Sequence, residues 1–364
     1  MIFVTRTKLP PIHRYYKYLR QIWASNWVTN NGQLVQELEL KLRDYLKVYN
    51  LSLVTNATIA LQMAIKSLKI EGEVITTPFT FAASTNVILW EKMKPVFADI
   101  DPETFNIDPK DIEKKITKDT RAILAVHVYG NPCDVERIEE IAQKHNLKVI
   151  YDAAHAFGVE YKNSSILNYG DVSVLSFHAT KVFNTIEGGA LVSPNQELDA
   201  KFRLLRNFGI VNEEKVIHPG INAKMNEFQA AMGLCNLQTI NRDIRARDKM
   251  YHLYISGLSK IKGLKFQRLT ASRYNYSYMP VIFRDKKHRD LIYDRLKENG
   301  IHARKYFYPL TSSLDYFSQS ERTSHQNSLP VAVSIADRVL CIPLFSELTV
   351  EIVKKVVDLI AKYS

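Results

Sequence analysis

Between residue 36 and about residue 192 the chain switches again and again between two hydrophobic periods, and this alternation limits its folds more than any other feature. "QELELKLRDYL" has helical spacing, "LSLVT" is a short apolar strand, "ATIALQMAIKSL" is helical again and "EVITTP" returns to a strand. The exchange continues through "FAASTNVILWEKM", "KPVFADI", "PKDIEKKI", "RAILAVHV", "DVERIEEIAQKH" and "KVIYDAA". Strands that are apolar throughout must be covered on both faces, so the pattern predicts an α/β fold with a mostly parallel sheet between two helix layers. Ligands of such folds collect outside the carboxyl ends of the strands. Four segments fall on that rim: "TNAT" at 55–58, "TTPFTF" at 76–81, "DAAH" at 152–155 and "SFHATK" at 176–181.

Beyond residue 196 the pattern becomes long helices, "ELDAKFRLLRNFG" and then "NEFQAAMGLCNLQTINRDIRARDKMYHLYISGL" read as one helix. A smaller α+β part follows: strand "YSYMPVIF", helix "KKHRDLIYDRLKENG" closed by Gly300, strand "RVLCIPL" and the amphipathic helix "TVEIVKKVVDLIAKY". A length of 364 residues allows two domains, expected at 1–245 and 246–364.

Composition excludes several classes. No apolar run reaches membrane-spanning length, and the N-terminal "MIFVTRTKLPPIHRYYKYLR" lacks the apolar core of a signal peptide. Cys133, Cys235 and Cys341 are odd in number and far apart, which suits reduced thiols in a cytoplasm and gives no metal-ligand spacing. The net charge of +11 admits nucleic acid or an anionic small substrate. Its distribution favours a solvated surface: basic residues in "KDIEKKITKDTR" and "NRDIRARDK" are interleaved with acids, Asp243 and Asp248 among them, and no nucleic-acid module is recognisable. Neither nucleic acid nor a membrane is therefore an expected partner.

The rim segments carry the chemistry. Asn56, Ala57 and Thr58 open a helix whose free N–H groups and dipole suit a phosphate, although a plain helix cap explains the same residues. Asp152 ends an apolar strand and needs a cationic partner if buried; a protonated ring nitrogen or a distant arginine would serve. Lys181, beside a desolvated pocket, would have a lowered pKa and could form a Schiff base. Ser176 offers a hydroxyl to a phosphate, Phe81 a ring to stack on, and Gly188 with Gly189 a tight turn behind the lysine. Phosphate cradle, carboxylate, lysine and aromatic are together the parts of a pyridoxal-phosphate site.

The chain resembles the DegT/DnrJ/EryC1/StrS sugar aminotransferases, pyridoxal-phosphate enzymes with the aspartate aminotransferase fold. The resemblance runs almost end to end, through "LPPIHRYYKYLRQIWASNWVTNNGQLVQELE", "TNATIALQMAI", "GEVITTPFTFAAST", "PVFADIDPETFNID", "HVYGNPCDVERI", "IYDAAHAFGV", "LSFHATKVFNTIEGGALV" and "GINAKMNEFQAAMG". It implies a mixed, mostly parallel seven-stranded sheet with a smaller C-terminal α+β domain. It implies that Lys181 holds the cofactor as a Schiff base and later shuttles a proton, that Asp152 keeps the pyridine nitrogen protonated, and that Phe81 stacks on the ring. Ala57, Thr58 and Ser176 would hold the phosphate, and Asn222 would reach the phosphate of a neighbouring subunit in a homodimer with shared sites. Ala57 stands where many relatives have glycine. His155 stands where many have glutamine, near the cofactor's phenolic oxygen, and leans the expectation toward amination at C4 of the sugar.

The resemblance thus implies a cytoplasmic enzyme that passes the amino group of L-glutamate to a nucleotide-linked keto-6-deoxyhexose, dTDP-4-keto-6-deoxyglucose before others. The alternatives are a C3-aminating enzyme, a pyridoxamine-phosphate-dependent sugar dehydratase and a non-catalytic regulator of the same fold. Dehydratase relatives carry histidine in place of the Schiff-base lysine, and His178 lies three residues too early for that. Candidate sugar-nucleotide contacts are Thr29 and Asn31 in "WVTNNG", and His302, Arg304 and Tyr306 in "GIHARKYFYPL". Lys224 and Arg206 are weaker phosphate candidates.

Overall fold

The computed structural model describes all 364 residues. Its centre is a seven-stranded sheet built from β2 (Asn50–Val54), β3 (Glu73–Thr76), β4 (Lys94–Phe97), β5 (Thr120–Val126), β6 (Lys148–Asp152), β7 (Val172–Ser176) and β8 (Gly189–Ser193). The spatial order is β2-β8-β7-β6-β5-β3-β4, parallel except for β8, which runs antiparallel to both its neighbours. This is the mixed, mostly parallel sheet that the alternating pattern and the resemblance predict.

Strand side chains alternate between two cores. In β5, Ile123 and Ala125 enter one with Leu38 and Leu42 of α2 (Gln33–Leu46) and Ile138 of α6 (Val135–His145). Ala122, Leu124 and Val126 enter the other with Leu61 and Ala64 of α3 (Ala57–Ser67) and Ile88 of α4 (Ala82–Trp90). The period of two thus explains why each strand is apolar at every position.

The stretch read as one long helix is two, α8 (Glu227–Leu237) and α9 (Ile240–Leu258). They part at Thr239, whose hydroxyl bonds to the Asn236 carbonyl at 3.4 Å and to Asp243 at 2.8 Å; side-chain competition of this kind ends a helix that apolar spacing alone would continue. A third core joins Tyr254 and Leu258 of α9 to α10 (Lys286–Glu298), α13 (Val350–Tyr363) and a three-stranded antiparallel sheet of β9 (Lys265–Phe266), β10 (Met279–Ile282) and β12 (Val339–Ile342). We propose the domain boundary at 245/246 inside α9, because Ile240 and Ile244 belong to the first core and Met250 onward to the third. The chain start crosses back: β1 (Ile2–Phe3) pairs in parallel with β11 (Ile301–His302).

Arg206 is nearly buried and donates to Glu39 of α2, to the Leu53 carbonyl of β2 at 2.9 Å and to Asn31 Oδ1 at 3.0 Å. It joins three elements at the sheet edge and is thereby a structural residue, with its donors engaged inside the chain. Glu39→Ala would leave that guanidinium buried and uncompensated, and is expected to destabilise the protein by about 3–5 kcal/mol. Equilibrium urea unfolding checks this; a change below about 1 kcal/mol would contradict the role.

Candidate active site

Five strand ends and the start of β8 converge on one rim. Gly189 sits in register with Val54 on one side and Ser176 on the other, so β8 enters the sheet beside the loop that carries Lys181. A cavity of about 340 Å³ opens there. Its wall includes Ala57, Thr58, Phe81, Asp152, His155 and Ser176. Lys181, Arg304 and Tyr306 complete the predicted residues that line it.

Asp152 is buried at the end of β6. Its Oδ2 accepts from the Ser84 hydroxyl at 2.7 Å and its Oδ1 from the Ala154 N–H at 3.1 Å, and it forms no ion pair with any arginine. Burial raises its pKa, against the pull of these donors and of Lys181. Lys181 behaves in the mirror sense: burial lowers its amine to about 8, while the Asp152 carboxylate holds it up. His155 is kept neutral, its pKa driven well down by burial and then by Lys181. Its ring lies edge-on to Tyr278 at 5.0 Å between centroids, and its Nδ1 is buried without a partner. Asn275 and Ser277 donate to its backbone carbonyl at 2.8 and 2.7 Å and fix the loop.

The helix cap expected at "TNAT" is present: Asn56 Oδ1 accepts from the Ile59 N–H at 2.9 Å. The N–H groups of Ala57 and Thr58 have no acceptor in the chain and remain for a ligand. The two glycines work differently from the expectation. Neither Gly188 nor Gly189 has a positive φ. A Cβ at Gly189 would instead stand 2.7 Å from the Asn56 carbonyl carbon and 2.8 Å from the Ala57 nitrogen, so its bareness lets β8 pass against the cradle itself.

Other expected residues lie elsewhere. His302 stacks on Phe3 at 5.0 Å in the β1–β11 pair, outside the cavity, because strand pairing with the chain start fixes its direction. Asn31 lines a separate cavity of about 300 Å³ beside Glu227, bound to Arg206, and Thr29 lines neither cavity. Asn222 is exposed and bridges Asn207 through its backbone, away from this chain's cavity. Lys224 donates to Asn207 Oδ1 at 3.0 Å. Ser84, Tyr278 and Phe307 were not foreseen. Ser84 follows three residues after Phe81 on the first turn of α4, a spacing that sequence could have used; Tyr278 and Phe307 arrive from the distant small domain with no local signal.

A family model, the DegT/DnrJ/EryC1/StrS aminotransferase family, matches residues 12–361. The chain belongs to this family. It is 44% identical over 363 residues to a dTDP-4-amino-4,6-dideoxy-D-glucose transaminase of Escherichia coli, covering 98% of this chain and 97% of that protein. A Shigella dysenteriae protein of the same description is 45% identical, with 99% and 98% covered. Among solved structures, DesI with its TDP-sugar product superimposes with a TM-score of 0.91 at 33% identity, covering 99% of this chain and 92% of that one.

The protein is thus an aminotransferase, and its cofactor is pyridoxal 5′-phosphate. The residues fit that group on their own chemistry: a buried carboxylate served only by neutral donors, an orphan imidazole nitrogen, unpaired N–H groups at a helix start and a near-neutral amine share one cavity. We assign the ring nitrogen to Asp152, the phosphate to Ala57, Thr58 and Ser176, the ring face to Phe81, the phenolic oxygen to His155 and the carbonyl to Lys181.

Two outcomes follow from this geometry. Since only the neutral amine attacks an aldehyde, cofactor-free protein should recombine with pyridoxal phosphate at a rate that climbs through pH 8 or so, with a lower midpoint in Asp152→Asn, which loses the charge that raises Lys181. Stopped-flow absorbance measures it; a midpoint near the usual lysine value of about 10.4 would contradict the burial argument. Gly189→Ala should weaken cofactor binding by about tenfold or more, because backbone at Asn56 and Ala57 must shift; unchanged affinity in a direct titration would remove that constraint.

Proposed function

We propose that this aminotransferase passes the amino group of L-glutamate to C4 of a nucleotide-linked 4-keto-6-deoxyhexose, with dTDP-4-keto-6-deoxyglucose first, giving dTDP-4-amino-4,6-dideoxyglucose. The observation that carries the chemistry is the presence, in one cavity, of the buried Asp152 carboxylate, which has no salt bridge, and the Lys181 amine, which burial brings to about 8. The substrate rests on the described activity of the two bacterial relatives and on the TDP-sugar seen with DesI.

When bound, the cofactor supplies a conjugated ring that accepts electrons from the carbon being deprotonated. Asp152 keeps the ring nitrogen protonated, which makes that acceptance effective. Lys181 Nζ, once free, removes and returns the proton at the reacting carbon; an amine titrating near 8 suits a general base at neutral pH. Neutral His155 donates a hydrogen bond without adding charge. Arg304, whose guanidinium lies 4.4 Å over the Tyr306 ring, gives the cavity a second cation for the substrates' anionic groups.

The working unit is a homodimer in which Asn222 serves the neighbouring subunit's phosphate. The reading is supported by exposed apolar side chains on α1 (Ile12–Ser25) and after it, Trp23, Trp27 and Val28, and on the 208–221 segment, Phe208, Ile217 and Ile221, which also holds the strand-like approach to Asn222. No helix is long and apolar enough to cross a membrane, and all three cysteines are free and buried; the cytoplasm is the proposed compartment.

Incubation with glutamate and a panel of 3-keto and 4-keto nucleotide sugars, with products identified by NMR, tests the proposal. The amine should appear at C4, and Lys181→Ala should lower turnover by at least about 10²–10⁴-fold. Amination at C3, or of no nucleotide sugar, would overturn it.

A further inference from the structure

Two carboxylates line the cavity, and they are treated very differently. Asp152 has both oxygens occupied by donors. Glu187 reaches the same cavity from the turn before β8 with its side chain 54% exposed, and its carboxylate has one polar neighbour, His178 Nε2, at 3.6 Å from Oε1. That separation exceeds a hydrogen bond, so the oxygens stay available. On its other side the His178 ring is tethered to Thr180, its Nδ1 lying 2.8 Å from the Thr180 hydroxyl and 3.3 Å from the Thr180 N–H.

The turn is held as firmly as its charge is left free. Thr185 Oγ1 donates to the Glu187 carbonyl at 2.6 Å, Thr185 N–H to the Phe177 carbonyl at 2.9 Å, and Phe177 N–H to the Gly188 carbonyl at 2.8 Å. Immediately before Glu187, Ile186 adopts φ +71°, a left-handed conformation that a β-branched residue resists, and its side chain is exposed, so burial does not offset the strain. Strain of this kind persists where the surroundings over-determine a conformation, commonly at ligand sites.

On the reading above, the cavity admits a dicarboxylate and a nucleotide sugar whose charge lies on its diphosphate and whose hexose ring carries only neutral hydroxyls. The charged groups facing it are Lys181 and Arg304 on one side of the balance and Asp152 and Glu187 on the other, with His155, His178, Tyr278 and Tyr306 as the remaining titratable walls. A free carboxylate repels the carboxylates of the first substrate and accepts a hydrogen bond from a hydroxyl on the neutral ring of the second. Resting on the keto-sugar reading above, we infer that Glu187, positioned by the strained turn, is a specificity-determining residue that accepts a hydrogen bond from a ring hydroxyl of the sugar and contributes nothing to binding glutamate.

The two half-reactions separate this role from a structural one. In Glu187→Gln holoenzyme, the reaction of the cofactor-loaded form with glutamate should match wild type within about threefold, whereas KM for the keto-sugar should rise about 10–100-fold with a smaller change in kcat. Analogues lacking one ring hydroxyl at a time identify the partner: one analogue should lose affinity with wild type yet be handled alike by both proteins. Glu187→Asp, which keeps the charge but retracts it, should fall between them. Equal losses in both half-reactions, an unchanged sugar KM, or no analogue that equalises the proteins would overturn the inference while leaving the sugar activity intact. Wild type that reacts with glutamate but aminates no keto-sugar would instead overturn the functional reading, and this inference with it.

Discussion

The site is organised around a carboxylate taken out of water without a salt bridge. Asp152 sits at the end of the central strand β6, and its only donors are a serine hydroxyl and a backbone N–H. A buried carboxylate so placed either takes up a proton or waits for a positive charge. The neighbouring elements respect this choice. Ser84, itself 2.9 Å from Thr80, fixes one oxygen from the first turn of α4, and the next loop brings Lys181 close enough for each group to shift the other's titration. On the assignment proposed here, a protonated pyridine nitrogen would complete the arrangement.

The sheet topology brings the rest of the site to that carboxylate. Parallel strands aim their carboxyl ends at one rim, and antiparallel β8 begins there, between β2 and β7. This places the helix start at Ala57 and the lysine loop on either side of one strand whose first residue has no side chain. The sheet thereby brings the helix start at Ala57, the acid and the amine to one side of the cavity, and Tyr278, Arg304, Tyr306 and Phe307, from beyond the proposed domain boundary, also line it.

The rim was legible in the sequence because each of its groups ends or begins an element whose period is visible. Asp152 closes an apolar run, Ala57 and Thr58 open a helical one, and Lys181 interrupts the approach to another strand. What the sequence could not supply depended on distance or on shape. Tyr278 and Phe307 come from far downstream of every rim segment. The glycine pair suggested a turn, whereas close approach of two backbones is the constraint, and no local pattern distinguishes these. His302 looked like its neighbours in "GIHARKYFYPL" but pairs with the chain start, a contact invisible to spacing. The break at Thr239 was hidden because apolar periodicity runs through it.

Asp152 is proposed as the counter-charge of a protonated ring nitrogen, and nitrogen-15 NMR of protein loaded with cofactor labelled at the pyridine nitrogen tests that role most directly. The nitrogen should be protonated across the neutral pH range in the wild type and lose that proton in Asp152→Asn. An unprotonated nitrogen in the wild type at neutral pH would contradict it.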